Sequence, residues 1–130
     1  MAQTKIPKQV SLDATRGMLN MQLYVYFTKP TNGLEAVLAN LDEHLKFQVD
    51  LERRGILFGA GPFWTEDEQF CELEGMIIIR AESLAAARAI AESDPLHKCG
   101  ARSFTIRPWL MNEGSVNIKI EMSNGKYQLL

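Results

Sequence analysis

Six residues near the start of the patterned sequence settle most of what this chain can become. Leu23, Val25 and Phe27 alternate with Gln22, Tyr24 and Tyr26, the period of two that sends successive side chains to opposite faces of a strand. Neither face is polar. A sheet built around such a strand needs cover on both sides, so a single layer with one face in water is excluded.

The elements that follow supply one of those covers. Lys29-Pro30-Thr31-Asn32-Gly33 is a breaker cluster that ends the strand. Leu34, Val37, Leu38, Leu41, Leu45 and Val49 recur at spacings of three and four, which predicts one long helix with that stripe against the core. Arg53-Arg54 then Gly55 is a helix end, with cations in the last turn and glycine just past it. Residues 56–62 predict a second strand running into Gly59-Ala60-Gly61-Pro62, residues 65–69 an acidic loop, and residues 70–80 a third strand. Ser83 is an N-cap for an alanine-rich helix over 84–93, closed by Asp94-Pro95 because the residue before proline avoids the α region. Residues 102–107 alternate once more, Phe104 and Ile106 against Ser103, Thr105 and Arg107, until Pro108.

The order is β-α-β-β-α-β, an α+β, ferredoxin-like split βαβ unit with a four-stranded antiparallel sheet and both helices on one side. Leu23, Val25, Phe27, Ile77 and Ile79 are assigned to the helix-covered face, leaving Tyr24, Tyr26, Met76 and Ile78 on the other. A second copy packed sheet to sheet about a two-fold axis is the expected cover, so the protein is expected to be a homodimer. Residues 1–20 show no sustained period and read as a flexible N-terminal arm, 21–110 as the ferredoxin-like domain. Residues 111–130 read as a C-terminal hairpin extension, with alternation over 116–121 and a turn at Asn124-Gly125. That hairpin can join the sheet edge or reach across to the partner subunit; the sequence leaves both open.

Composition narrows the function classes. The 130 residues are 46% apolar, enough for a buried core, and 14 basic against 16 acidic side chains give a net charge of −2. Nothing there draws the protein to a phosphate backbone or an anionic membrane, so neither nucleic acid nor membrane is expected as a partner. Cys71 and Cys99 are too few for a disulfide framework, no apolar leader segment stands out, and no apolar run approaches the roughly 20 residues of a membrane helix. The expected compartment is the cytoplasm.

The candidates for chemistry are few, for there is no phosphate loop, zinc spacing, nucleophile elbow or dinucleotide fingerprint. His44 borders the helix stripe, where an imidazole can act as a general base or sit bonded to a neighbouring carbonyl. Asp94, before Pro95, is first of all a cap for a short turn that Gly100 ends, with a second carboxylate oxygen left over to orient a histidine. Gly59, Gly61 and Pro62 are either a tight turn or a place where backbone N–H groups line a pocket. Tyr24, Tyr26 and Ser83 complete the candidate pocket, although aromatics in a small domain are more often core. His97 and Cys99 stand two apart, a poor match to zinc spacing, and neither metal nor cofactor is expected.

Taken in order, the split βαβ pattern, His44 in the first helix, Gly59 to Pro62, Ser83 opening the second helix and Asp94-Pro95 closing it resemble the YCII-related family, within the dimeric α/β-barrel superfamily. The resemblance implies a ferredoxin-like protomer that dimerises through its sheet, with a site made of His44 and Asp94. It also implies small-molecule chemistry of the isomerase or lyase kind, dehydrochlorination included, in which a His–Asp pair transfers a proton. The alternative is a non-catalytic dimeric module that binds a ligand or serves as an accessory subunit, with the same two residues as a structural pair.

Overall fold

The computed structural model describes residues 2–130 and divides them into two compact units. The larger, Gln22–Leu110, holds the expected α+β fold. Its sheet is made of β1 (Met21–Pro30), β2 (Leu57–Pro62), β3 (Gly75–Ile79) and β4 (Arg102–Met111), in the antiparallel ferredoxin-like order β2-β3-β1-β4. Between β1 and β2 run α2 (Glu35–Ala39) and α3 (Leu41–Arg53); between β3 and β4 run α4 (Leu84–Glu92) and α5 (Pro95–Lys98). The other unit joins residues 2–21 to Met111–Leu130. It contains α1 (Lys8–Ala14), a helix the aperiodic sequence did not predict, and the hairpin of β5 (Ile118–Glu121) and β6 (Lys126–Leu129). β5 and β6 form a two-stranded sheet of their own.

Strand register corrects the assignment of faces. Tyr24 lies opposite Ile79 and Tyr26 opposite Ile77, whereas Val25 faces Ile78 and Phe27 faces Met76. Directly opposed residues share a face. The tyrosines therefore belong with Ile77 and Ile79 in the helix-side core, packed on Ala87 and Ala91 of α4. Leu23, Val25, Phe27, Met76 and Ile78 take the far face, where Phe27 remains 44% exposed and stacks on Phe63 at 6.3 Å. The alternation set the period of β1 but not its phase, because a strand apolar on both sides carries no polar marker for the outside.

The long helix is also corrected: it is two helices, broken at Asn40, whose φ of −115° and ψ of 14° lie outside the α region. Asn40 Nδ2 donates to the Ala36 carbonyl at 2.8 Å, a local bond that competes with continued helix. On the two sides of the break the buried positions are Val37 from α2 and Gln48 and Leu51 from α3, while Leu34, Leu38, Leu45 and Val49 stay largely open. The helix end is as expected. Gly55 adopts φ 72°, with Ile56 N–H bonded to Leu51 O at 2.9 Å and Gly55 N–H to Glu52 O at 3.0 Å, the paired bonds of a Schellman motif.

Pro108 does not stop β4, which continues to Met111. The strand is at the sheet edge, where a residue without an N–H can face away from the ladder. At the opposite edge β2 carries a register shift between Leu57 and Gly59. Gly75 opposes Pro62, and a Cβ there would meet Gly61 O at 3.0 Å, so glycine permits this close approach of β2 to β3. No described helix is long and apolar enough to cross a membrane.

Candidate active site

Two short stretches 50 residues apart meet on the helix side of the sheet. Asp94 ends the α4 segment with φ −59° and ψ 128°, and Pro95 opens α5 at its first position. Asp94 is 0% exposed and divides its carboxylate between two donors. Oδ1 accepts from Leu96 N–H at 2.9 Å as the cap of α5, and Oδ2 accepts from His44 Nδ1 at 2.7 Å. The cap and the histidine contact thus coexist on one side chain.

The bond fixes the chemistry of the imidazole. With Nδ1 carrying the proton toward Asp94, the Nε2 lone pair of His44 is left bare, and it has no hydrogen-bond partner among the described residues. The His44 side chain keeps 14% of its surface, and the residue lines a cavity of about 610 Å³ between α3 and β2. Leu41, Leu45 and Val49 form part of its wall, so two of the four open stripe residues, Leu45 and Val49, face the cavity.

Gly59, Gly61 and Pro62 line this cavity from β2. As an edge strand β2 has backbone groups without a strand partner on its outer side. Tyr24, Tyr26 and Ser83 do not reach it. The tyrosines are buried core, and the Tyr26 ring packs edge-on against His97 and Phe104 at 6.1 and 5.8 Å. Burial, reinforced by the Asp94 charge, pushes the Tyr26 phenol well above its ordinary range, so it stays protonated. Ser83 is a cap: its hydroxyl oxygen accepts from Ala86 N–H at 3.1 Å.

His97 is tied down by neutral bonds. Its Nδ1–H donates to the Ala91 carbonyl at 2.6 Å, leaving Nε2 to accept the Thr28 hydroxyl proton at 2.8 Å. Burial lowers its pKa below the usual 6.5, and the Ala91 bond only partly opposes this. Five further polar residues on the cavity escaped the sequence reading: Thr28, Gln48, Glu52, Glu74 and Arg102. Two carried a signal. Gln48 lies four residues after His44 on the same helix face, and Arg102 shares the alternation phase of Phe104 and Ile106.

With the fold and this geometry in hand, comparison with known proteins is informative. The YCII-related domain model matches residues 21–110. The chain belongs to the YCII-related family. No curated protein sequence matches it. Among solved structures, 5-chloro-2-hydroxyhydroquinone dehydrochlorinase from Burkholderia phenoliruptrix, in complex with 2,5-dihydroxybenzoquinone, is similar at 22% identity and a TM-score of 0.54. The match covers 68% of this chain and 93% of that one. At that identity the likeness is one of fold, and this YCII-related chain shares the fold of the dehydrochlorinase.

Proposed function

We propose that this YCII-related protein is a small-molecule isomerase or lyase, dehydrochlorinase-like in its chemistry, with His44 as general base and Asp94 holding it. The observation that carries the reading is the 2.7 Å bond from His44 Nδ1 to a fully buried Asp94 at the wall of a 610 Å³ cavity. Asp94 accepts from Nδ1–H, fixes the tautomer and stabilises the imidazolium formed when Nε2 takes a proton from carbon. In an elimination the C–H electron pair becomes the new double bond and chloride departs with the electrons of its own bond. In an isomerisation the imidazolium returns the proton to another carbon. A positioned base of this kind contributes roughly 10²–10⁴-fold, so the reading requires a substrate whose C–H is already acidic. The fold relative is named for the dehydrochlorination of a chlorinated hydroxyhydroquinone, which supports the lyase side of this reading. No cofactor enters these steps.

The second reading, a binding or accessory module, is favoured by the cap that Asp94 gives α5, since that bond alone would keep the aspartate in place. A thermal-shift screen of small cyclic metabolites, followed by turnover of the hits, separates the two. His44→Gln is expected to lower turnover by roughly 10²–10⁴-fold with the melting temperature nearly unchanged. Unchanged turnover in that variant removes the catalytic reading, and a loss confined to melting temperature favours the module.

We also propose that the working form is a homodimer with the far face of the sheet as its interface. Phe27, Met76, Ile78 and Phe63 supply an apolar surface there that is only partly buried.

A further inference from the structure

General-base chemistry accounts for His44 and Asp94 but leaves the other polar residues of the cavity without a task. Arg102, first residue of β4, is 9% exposed and lies against the cavity. Its Nη1 donates to the Leu73 carbonyl. Nε is buried without a partner, Nη2 makes no hydrogen bond, and no described carboxylate comes within ion-pair distance of the guanidinium. Gln48, one turn beyond His44, is 8% exposed, and neither its Nε2 nor its Oε1 has a partner. The nearby carboxylate of Asp94 is already committed to His44 and Leu96.

A largely buried guanidinium with no carboxylate at ion-pair distance is costly, and so is an amide with both ends unmet. Packing does not require either: methionine and leucine fill similar volumes. Both deficits fall on one cavity, beside the bare nitrogen of His44, and the charged one calls for an acceptor. Thr28 does not fill that need: its hydroxyl is bonded to His97 and makes no bond with Arg102. Glu52 and Glu74 also line the cavity but are exposed, and neither pairs with Arg102.

We propose that the cavity binds an anionic small molecule, its carboxylate or phenolate oxygen held by Arg102 and hydrogen-bonded by Gln48, with an apolar body against Leu45 and Val49. The proposal rests on the reading of this cavity as the substrate site and names the substrate class. Charge on the ligand supplies the direct ion-pair partner that Arg102 lacks among the described residues, and it places the body of the molecule next to His44.

Equilibrium binding tests it without reference to catalysis. Sodium benzoate and benzamide, of equal shape and unequal charge, are titrated into the full-length protein by calorimetry at fixed ionic strength. Benzoate is expected to bind about tenfold tighter or more than benzamide. Arg102→Met abolishes that preference, and Arg102→Lys keeps part of it. Gln48→Leu weakens benzoate several-fold while the melting temperature holds or rises, because two unpartnered polar atoms leave the interior. If Arg102→Met fails to fold, the wild-type preference with the Arg102→Lys and Gln48→Leu affinities decides. Equal binding of both compounds, no saturable binding of benzoate, or benzoate affinity indifferent to these substitutions overturns the proposal. Intact benzoate preference with turnover untouched in His44→Gln would leave the anion site standing and the base refuted.

Discussion

Asp94 serves two donors with one carboxylate, and its replacement is expected to cost more than either bond alone. Asp94→Ala loses the cap on Leu96 N–H and the charge-assisted bond to His44, about 2–4 kcal/mol together by denaturant unfolding. Asp94→Asn keeps an oxygen for the cap and is expected to cost clearly less. His97 gives a pH signature. Its folded pKa lies below 6.5, so as pH falls through 6.5 the unfolded chain takes up a proton that the native protein refuses, and stability drops. His97→Asn, which retains an N–H for the Ala91 carbonyl, is expected to show a shallower fall in melting temperature between pH 6.5 and 5 than wild type. Equal slopes would show that His97 titrates alike in both states. At this scale His44 and Asp94 stood out singly, one beside an apolar stripe and one before proline, while their pairing was implied only by the family resemblance. For Arg102 and Gln48 the sequence carried only their phase, since lack of a partner is a property of the surroundings.

Elements were more readable than their phases. Caps and breakers fixed where helices end: Ser83, Gly55 and Asp94-Pro95 all act where their chemistry placed them. Ser83→Ala is therefore expected to cost about 1 kcal/mol in chemical denaturation and to leave ligand binding at the cavity unaffected. What the pattern lacked was the information that assigns a side. β1 is apolar on both faces, so its phase came only from pairing with β3. The stripe through Leu45 and Val49 looked like core because a cavity wall and a packed interior ask for the same residues. The break at Asn40 depends on a side-chain bond to Ala36 that competes with the helix ladder, a contest too close for periodicity to decide. Gly75 tests the β2 edge of the cavity: Gly75→Ala is expected to destabilise by about 1–3 kcal/mol, because its Cβ would press on the Gly61 carbonyl. An unchanged unfolding midpoint would mean that β2 gives way freely.

For the whole molecule, the βαββαβ order was legible from alternating periods and breakers. The C-terminal hairpin was legible as well, but the N-terminal end was not: α1 has no apolar stripe to announce it, and all of its residues lie outside the core. The proposed dimer makes a direct prediction. Ile78→Glu, on the far face beside Val25, is expected to convert a two-chain species into a single-chain one in sedimentation equilibrium, and a wild type already at single-chain mass would end that proposal. The central claim is that α3 and the loop before α5 together hold His44 with its Nδ1 protonated toward Asp94 and its Nε2 bare toward the cavity. Long-range ¹H–¹⁵N correlation spectra of the histidine rings measure this. For the neutral imidazole of His44 the account predicts a protonated, pyrrole-type Nδ1 and an unprotonated, pyridine-type Nε2, with the preference lost in Asp94→Ala. A proton on Nε2 with Nδ1 bare would contradict it.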